Sequence, residues 1–144
     1  MSVKKFLDTN VLFYACDSSD PHKQAIALQL IADLSAKRTG VLSTQVLGEF
    51  FHSTVVRRKL LSAATAEKIV QDYNKTFSSV PIHFDLVRLA MNIHQKYQTS
   101  YWDSLIVAAA SDQGCAEILS EDLNDNQIYN GVRVVNPFLV KTKS

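Results

Sequence analysis

The sequence predicts an α/β fold in which a mainly parallel sheet is covered by helices on both faces. Short β-leaning segments alternate with amphipathic helical ones along the whole chain, the pattern of strand–helix–strand units. One helical segment, Leu105 to Ala110, is apolar all round and so belongs in an interior. Cap and turn residues mark each change of period, from Asp8-Thr9-Asn10 to Asn136-Pro137.

Val3 to Leu7 is a short β-leaning segment that stops at Asp8-Thr9-Asn10, three residues that favour a turn or a helix start. Asp20-Pro21 opens a helix with proline in the first turn, where its missing N–H costs nothing. Ala25, Leu28, Ile31 and Ala32 then recur at helical spacing until Gly40 stops it. Val41-Leu42 is the second strand. Ser43 or Thr44 caps the next helix, whose Val46, Leu47, Phe50, Phe51 and Thr54 form an apolar stripe with Glu49 facing elsewhere. That helix ends in Arg57-Arg58-Lys59.

Amphipathic helices follow over Thr65 to Phe77 and Leu86 to Tyr97. Val80-Pro81-Ile82-His83 lies between them as a strand that its proline confines to an edge or a strand start. The buried helix runs from about Trp102 to Gln113 and ends at Gly114. Glu117 to Leu119 and Val132 to Val135 complete the strands, and Asn136-Pro137 terminates the last. With no repeat, linker or low-complexity tract, residues 1–144 are expected to form one domain.

Composition narrows the class. A chain of 144 residues with 47% hydrophobic and 20% charged residues, three prolines and four glycines is globular rather than disordered. Fifteen basic against fourteen acidic side chains give a net charge of +1, so any nucleic acid must be held by a local patch rather than a global field. Cys16 and Cys115 have no metal or redox spacing and are expected to be free buried thiols of a reducing cytoplasm. No secretory h-region precedes Asp8, and Leu105 to Ala110 is too short to cross a bilayer. A soluble, cytoplasmic protein is the expectation.

Open α/β sheets bind ligands at the carboxyl ends of their strands, where acids distant in sequence can converge. Asp8 follows the first strand, and Asp122 follows Ile118-Leu119-Ser120. Asp103 lies in the first turn of the buried helix, and Glu49 in the first turns of the helix after the second strand. All four can face one end of the sheet. Crowded carboxylates raise one another's pKa unless a divalent cation compensates, and an acid-only set suits hard Mg²⁺ or Mn²⁺. Such an ion activates water for in-line attack on a phosphodiester. Thr9 or Ser120 can orient a ligand or water through a hydroxyl, and Asn10 beside them joins this supporting set.

Each acid also has a purely structural reading. Asp8 can cap a helix, Asp103 can complement a helix dipole or form a capping box with Ser100, and Glu49 can be a solvated helix residue. Asp122 competes with Glu121 and Asp125 for its role. Joint placement beside an apolar helix and strand favours a site.

Four motifs taken together carry a resemblance. Phe6-Leu7-Asp8-Thr9-Asn10-Val11-Leu12, Val46-Leu47-Gly48-Glu49-Phe50, Tyr101-Trp102-Asp103-Ser104-Leu105-Ile106 and Ile118-Leu119-Ser120-Glu121-Asp122 resemble the PIN-domain family in order and spacing. The closing Val132-Arg133-Val134-Val135-Asn136-Pro137-Phe138 resembles the C-terminal strand of its bacterial members. The resemblance implies a three-layer α/β/α sandwich and a metal-dependent endoribonuclease using Mg²⁺ or Mn²⁺, with Asp8, Glu49, Asp103 and Asp122 at the family's acidic positions. For a chain this small it further implies a toxin of the VapC type, often dimeric and silenced by a small VapB-type antitoxin.

Arg57, Arg58 and Lys59 form the best local basic patch for RNA, with Lys4, Lys5, Lys37 and Arg38 as further phosphate contacts. The same cations at a helix C-terminus can simply complement its dipole, which is the favoured reading. Tyr101 and Trp102 could stack on bases, although aromatics beside a buried helix are expected in the core. His22, His52, His83 and His94 show no metal spacing. Two other functional classes compete: an aspartate-nucleophile phosphatase, against which Asn10 stands where a second acid is required, and a non-catalytic RNA-binding or interaction module. A receiver-like signalling domain lacks its paired acids and late lysine.

Overall fold

The computed structural model describes residues 3–139. β1 (Lys5–Leu7), α1 (Thr9–Ala15), α2 (Pro21–Lys37), β2 (Gly40–Ser43), α3 (Thr44–Phe51), α4 (Ala63–Thr76) and β3 (Ser78–Val80) form the first half. α5 (Phe84–Tyr97), α6 (Tyr101–Asp112), β4 (Glu117–Leu119), β5 (Ile128–Tyr129) and β6 (Val132–Val135) form the second.

Helix starts follow the side chains that can satisfy free backbone N–H groups. Asp20 accepts from Lys23 N at 3.1 Å, Ser43 from Val46 N at 3.3 Å, Ser62 from Thr65 N at 3.2 Å and Ser100 from Asp103 N at 3.1 Å. α3 runs on as a π-helical stretch, His52–Arg57, inside which the buried Thr54 hydroxyl donates to the Phe50 carbonyl at 2.8 Å.

Gly40 was expected from the sequence to end α2, and it does not. The helix stops at Lys37 with Arg38 in the left-handed region (φ 56°), and Gly40 opens β2. A Cβ there would lie 2.5 Å from the Phe77 ring, so close approach of strand and aromatic is what requires glycine. The strand expected at Val80-Pro81-Ile82-His83 ends at Val80, because Pro81 has no N–H to continue the ladder.

The sheet order is β3-β2-β1-β4-β6-β5, parallel throughout except for the β5–β6 pair. Strands step outward from β1 to β3, then the chain crosses back to β4 on the other side of β1. Right-handed crossovers in opposite directions place their helices on opposite faces. Accordingly α1 packs on α2 and α3, α3 packs on α4, and α5 packs on α6. This is the expected α/β sandwich. Leu105 to Ala110 of α6 is buried on every side, among Phe6, Leu42, Ile118 and Val134 of the sheet and Ile93 of α5.

β5 was not expected. It pairs with β6 through a two-residue turn at Asn130 (φ 49°) and Gly131 (φ 84°), the left-handed pair that a tight hairpin demands. Cys115 is buried and Cys16 half-buried, both as free thiols. Among the described residues no helix is long and apolar enough to cross a membrane.

Candidate functional site

Strand order reverses between β1 and β4, and the register there decides what meets at the carboxyl edge. Leu7 pairs with Leu119, so the next residues, Asp8 and Ser120, emerge abreast. Asp8 N donates to the Leu119 carbonyl at 3.1 Å, and Ser120 Oγ donates to Asp8 Oδ2 at 2.7 Å. Thr9 N donates to Asp8 Oδ1 at 2.7 Å. Asp8 thus caps α1 and stands at the strand edge at once, so the two readings of this residue describe one position.

The other acids approach from neighbouring elements. Ser43, at the end of β2, caps α3 and sets its direction, and Glu49 then turns back toward α1. Thr9 Oγ1 donates to Glu49 Oε2 at 3.1 Å, and Gln45 Nε2, one turn earlier on α3, donates to Glu49 Oε1 at 2.6 Å. Asp122 follows Ser120, whose hydroxyl accepts from Asp122 N at 3.1 Å. Asn10 Nδ2 donates to Asp122 Oδ2 at 3.1 Å and approaches Asp8 Oδ2 at 3.5 Å. Asp103 lies in the first turn of α6, its N–H capped by Ser100.

Electrostatics tie these four together. Burial pushes the Asp8 carboxyl up to about 7; the hydrogen bonds from Ser120 and Thr9 oppose this, and the charges of Asp122 and Glu49 add to it. Asp103 is also raised, first by partial burial and then by the charge of Asp122, against the Ser100 hydrogen bond. Among the described residues the ion pairs are Lys5–Glu117 and Lys23–Glu121, so none of the four acids is paired with a cation. Their donors are neutral hydroxyls, amides and backbone groups.

Competitors for the fourth acid are engaged elsewhere. Glu121 accepts from Tyr14 Oη at 2.6 Å and from Lys23 Nζ at 2.9 Å. Asp125 accepts from Asn136 N at 2.8 Å. Among the described residues, no three His, Cys, Asp or Glu side chains are grouped tightly enough to ligate one ion as they stand. The donor set is oxygen-only, as hard divalent cations prefer.

A groove of about 900 Å³ runs from this edge, lined by Glu49 and Asp122 at one end and by His52, Arg57 and Arg58 along the π-helical stretch. Arg57 and Arg58 are exposed, with the Arg58 guanidinium 5.3 Å from the Phe13 ring. They line the acid-bearing groove, more than the dipole reading required. Lys4, Lys5, Lys37 and Arg38, by contrast, collect where β1 and β2 begin, at the opposite end of the sheet. Trp102, expected in the core, is 64% exposed on the groove, while Tyr101 is half-buried.

Gln45 and the Tyr14–Lys23–Glu121 cluster were not anticipated. The spacing of Gln45 and Glu49 by four residues on a helix was the available signal for the first; the second joins residues about 100 positions apart, for which the sequence offers none.

The PIN domain family model matches residues 5–129, a span that contains all four acids. No curated protein matches the sequence. Among solved structures, VapC20 of Mycobacterium tuberculosis, a sarcin–ricin loop cleaving toxin, is 21% identical with a TM-score of 0.64, over 83% of this chain and 92% of that one. A DNA-bound VapBC from Salmonella typhimurium is 13% identical with a TM-score of 0.67, over 92% and 97%. A toxin–antitoxin complex from Klebsiella pneumoniae is 18% identical with a TM-score of 0.66, over 95% and 100%. At these identities the likeness is one of fold. With the family model spanning residues 5–129, most of the sequence, the chain belongs to the PIN-domain family.

Proposed function

We propose that this protein is a divalent-metal-dependent endoribonuclease in which Asp8, Glu49, Asp103 and Asp122 hold Mg²⁺ or Mn²⁺. The observation that carries the reading is the uncompensated negative cluster: a buried Asp8 raised to about 7, with Asp122 and Glu49 adding to the repulsion and, among the described residues, no cation paired to any of the four. Leaving such a cluster unneutralised works against folding, and a hard cation relieves it. When bound, that ion supplies Lewis acidity and a water of lowered pKa for phosphodiester hydrolysis.

The chain's own groups orient the acids. Ser120 and the Thr9 N–H fix both oxygens of Asp8, Thr9 Oγ1 and Gln45 fix Glu49, and Asn10 fixes Asp122. Arg57 and Arg58 bind phosphates flanking the one that is cut. As an aspartate nucleophile Asp8 is poorly suited, since burial favours its neutral form.

The similarity to VapC20 and to two toxin–antitoxin complexes supports a toxin role with a small antitoxin partner. The test is incubation of the purified protein with RNA, with and without Mg²⁺ or Mn²⁺. Metal-dependent cleavage that disappears in Asp8→Asn and Asp103→Asn is expected. Phosphatase activity without RNA cleavage points to the nucleophile class, and RNA binding without any cleavage to a non-catalytic module; either result overturns the proposal.

A further inference from the structure

We propose that Trp102 is a base-stacking residue: an unpaired nucleobase beside the phosphodiester to be cut lies against its indole in the groove shared with the acids. This inference rests on the nuclease reading and specifies how that site grips its substrate.

Trp102 is the chain's single tryptophan and is 64% exposed. An indole is among the largest apolar groups available for burial, and here it lies outside the core. It occupies the first turn of α6, one residue before Asp103, so the two side chains leave the helix roughly 100° apart. Its position is tied to the acids by a second route. Gln45 Nε2 donates both to the Trp102 carbonyl at 3.1 Å and to Glu49 Oε1 at 2.6 Å. Tyr101 meets the indole edge-on, with ring centroids 5.0 Å apart and planes at 76°, supporting it from one side.

The groove's chemistry selects the occupant. Arg57 and Arg58 offer guanidinium groups on the stretch that follows α3, while Trp102 offers an aromatic plane near the acids. A single-stranded polynucleotide carries anionic phosphates and π-faced bases together, so it complements both features at once. In a duplex the base faces are already stacked on their neighbours and cannot reach the indole.

The test uses a fluorescent, single-stranded RNA oligonucleotide titrated against the intact protein in Ca²⁺, a hard cation that takes oxygen ligands as Mg²⁺ does but is larger and a weaker activator of water, with the oligonucleotide shown to be intact by gel afterwards. Fluorescence anisotropy gives the affinity, and Trp102 emission reports contact with the base. Wild type is expected to show emission quenching that saturates together with anisotropy, and the same oligonucleotide annealed to its complement is expected not to quench. Trp102→Phe keeps an aromatic face and should bind within about threefold of wild type. Trp102→Leu keeps apolar bulk without the ring and should weaken binding by about tenfold or more. The exposure of this side chain makes both variants foldable, checked by circular dichroism.

Binding by Trp102→Leu within about twofold of wild type, or saturating binding with unchanged emission, overturns the inference. If Trp102→Leu instead loses a protein partner while RNA affinity stands, the indole is a protein anchor and the inference is equally overturned. Failure of the wild type both to bind and to cleave RNA with Mg²⁺ or Mn²⁺ defeats the nuclease reading itself. Metal-dependent cleavage with an unchanged KM in Trp102→Leu defeats only the stacking role.

Discussion

Ser120 Oγ donates to Asp8 Oδ2 at 2.7 Å, joining residues that lie side by side because Leu7 and Leu119 pair in register. This bond lowers the pKa of a carboxyl that burial raises. A hydrogen bond to a charged group contributes ~1.5–3 kcal/mol, or about ten- to a hundredfold in the equilibrium it biases. Ser120→Ala is therefore expected to weaken Mg²⁺ binding about tenfold near neutral pH, with the deficit shrinking as pH rises. Calorimetric titration across pH checks this; a loss independent of pH would contradict it.

Asp8 is expected to trade stability for function. Its folded pKa, about 7, lies above its ordinary value of 3.8, so the folded state holds a proton that the unfolded chain has already released. Between those values stability falls as pH rises, and above about 7 the penalty is constant and on the order of a few kcal/mol. Asp8→Asn should consequently unfold at a higher temperature than metal-free wild type at pH 8, and lose that advantage near pH 4. Thermal melts at the two pH values, with and without Mg²⁺, measure it.

Among the acids after β4, Asp122 is the one expected to serve the site. Asp122→Asn should weaken Mn²⁺ affinity by about tenfold, whereas Asp125→Asn, whose amide oxygen can still accept from Asn136 N, should leave it within about twofold. Equal effects from both, or a larger one from Asp125→Asn, would assign the position differently.

The loop carrying Asp122 is anchored through its neighbour. Tyr14 Oη and Lys23 Nζ hold Glu121, Lys23 sits 4.5 Å from the Tyr14 ring centroid, and Glu121 N donates to Asn10 Oδ1 at 3.4 Å. The Lys23 side chain is 30% exposed, so the ion pair itself contributes at most ~1 kcal/mol. Tyr14→Phe and Lys23→Met should therefore lower stability by about 1 kcal/mol each while raising the metal concentration needed for half-maximal activity about three- to tenfold. Effects on stability alone would make the cluster a simple tether.

The sequence signals that worked were local ones. Asp8, Ser43 and Ser100 each sit where a strand or loop gives way to a helix, and each caps the helix that follows. The apolar run of α6 marked a buried helix because no polar face interrupts it. Seven-residue α1 was harder, since Val11-Leu12-Phe13 is apolar without a helical period. The β5–β6 hairpin was written in Asn130-Gly131 between Tyr129 and Val132, but a two-residue strand is too short to show alternation. Trp102 depends on where the first turn of α6 lies relative to the sheet edge, and the Gln45 and Glu121 contacts depend on tertiary placement. Arg38 and Arg57 belong to similar basic clusters, yet only the topology assigns them to opposite ends of the sheet.

Whether the four carboxylates can share a cation decides between a nuclease site and a set of structural acids, and a crystal soaked in Mn²⁺ measures that directly through anomalous scattering. A peak at the carboxyl edge between β1 and β4, with Asp8 and Asp103 reaching it directly or through one water and Asn10 displaced from between Asp8 and Asp122, is the predicted result. No peak there in protein that cleaves RNA, or a peak that Asp103 cannot reach, would contradict it.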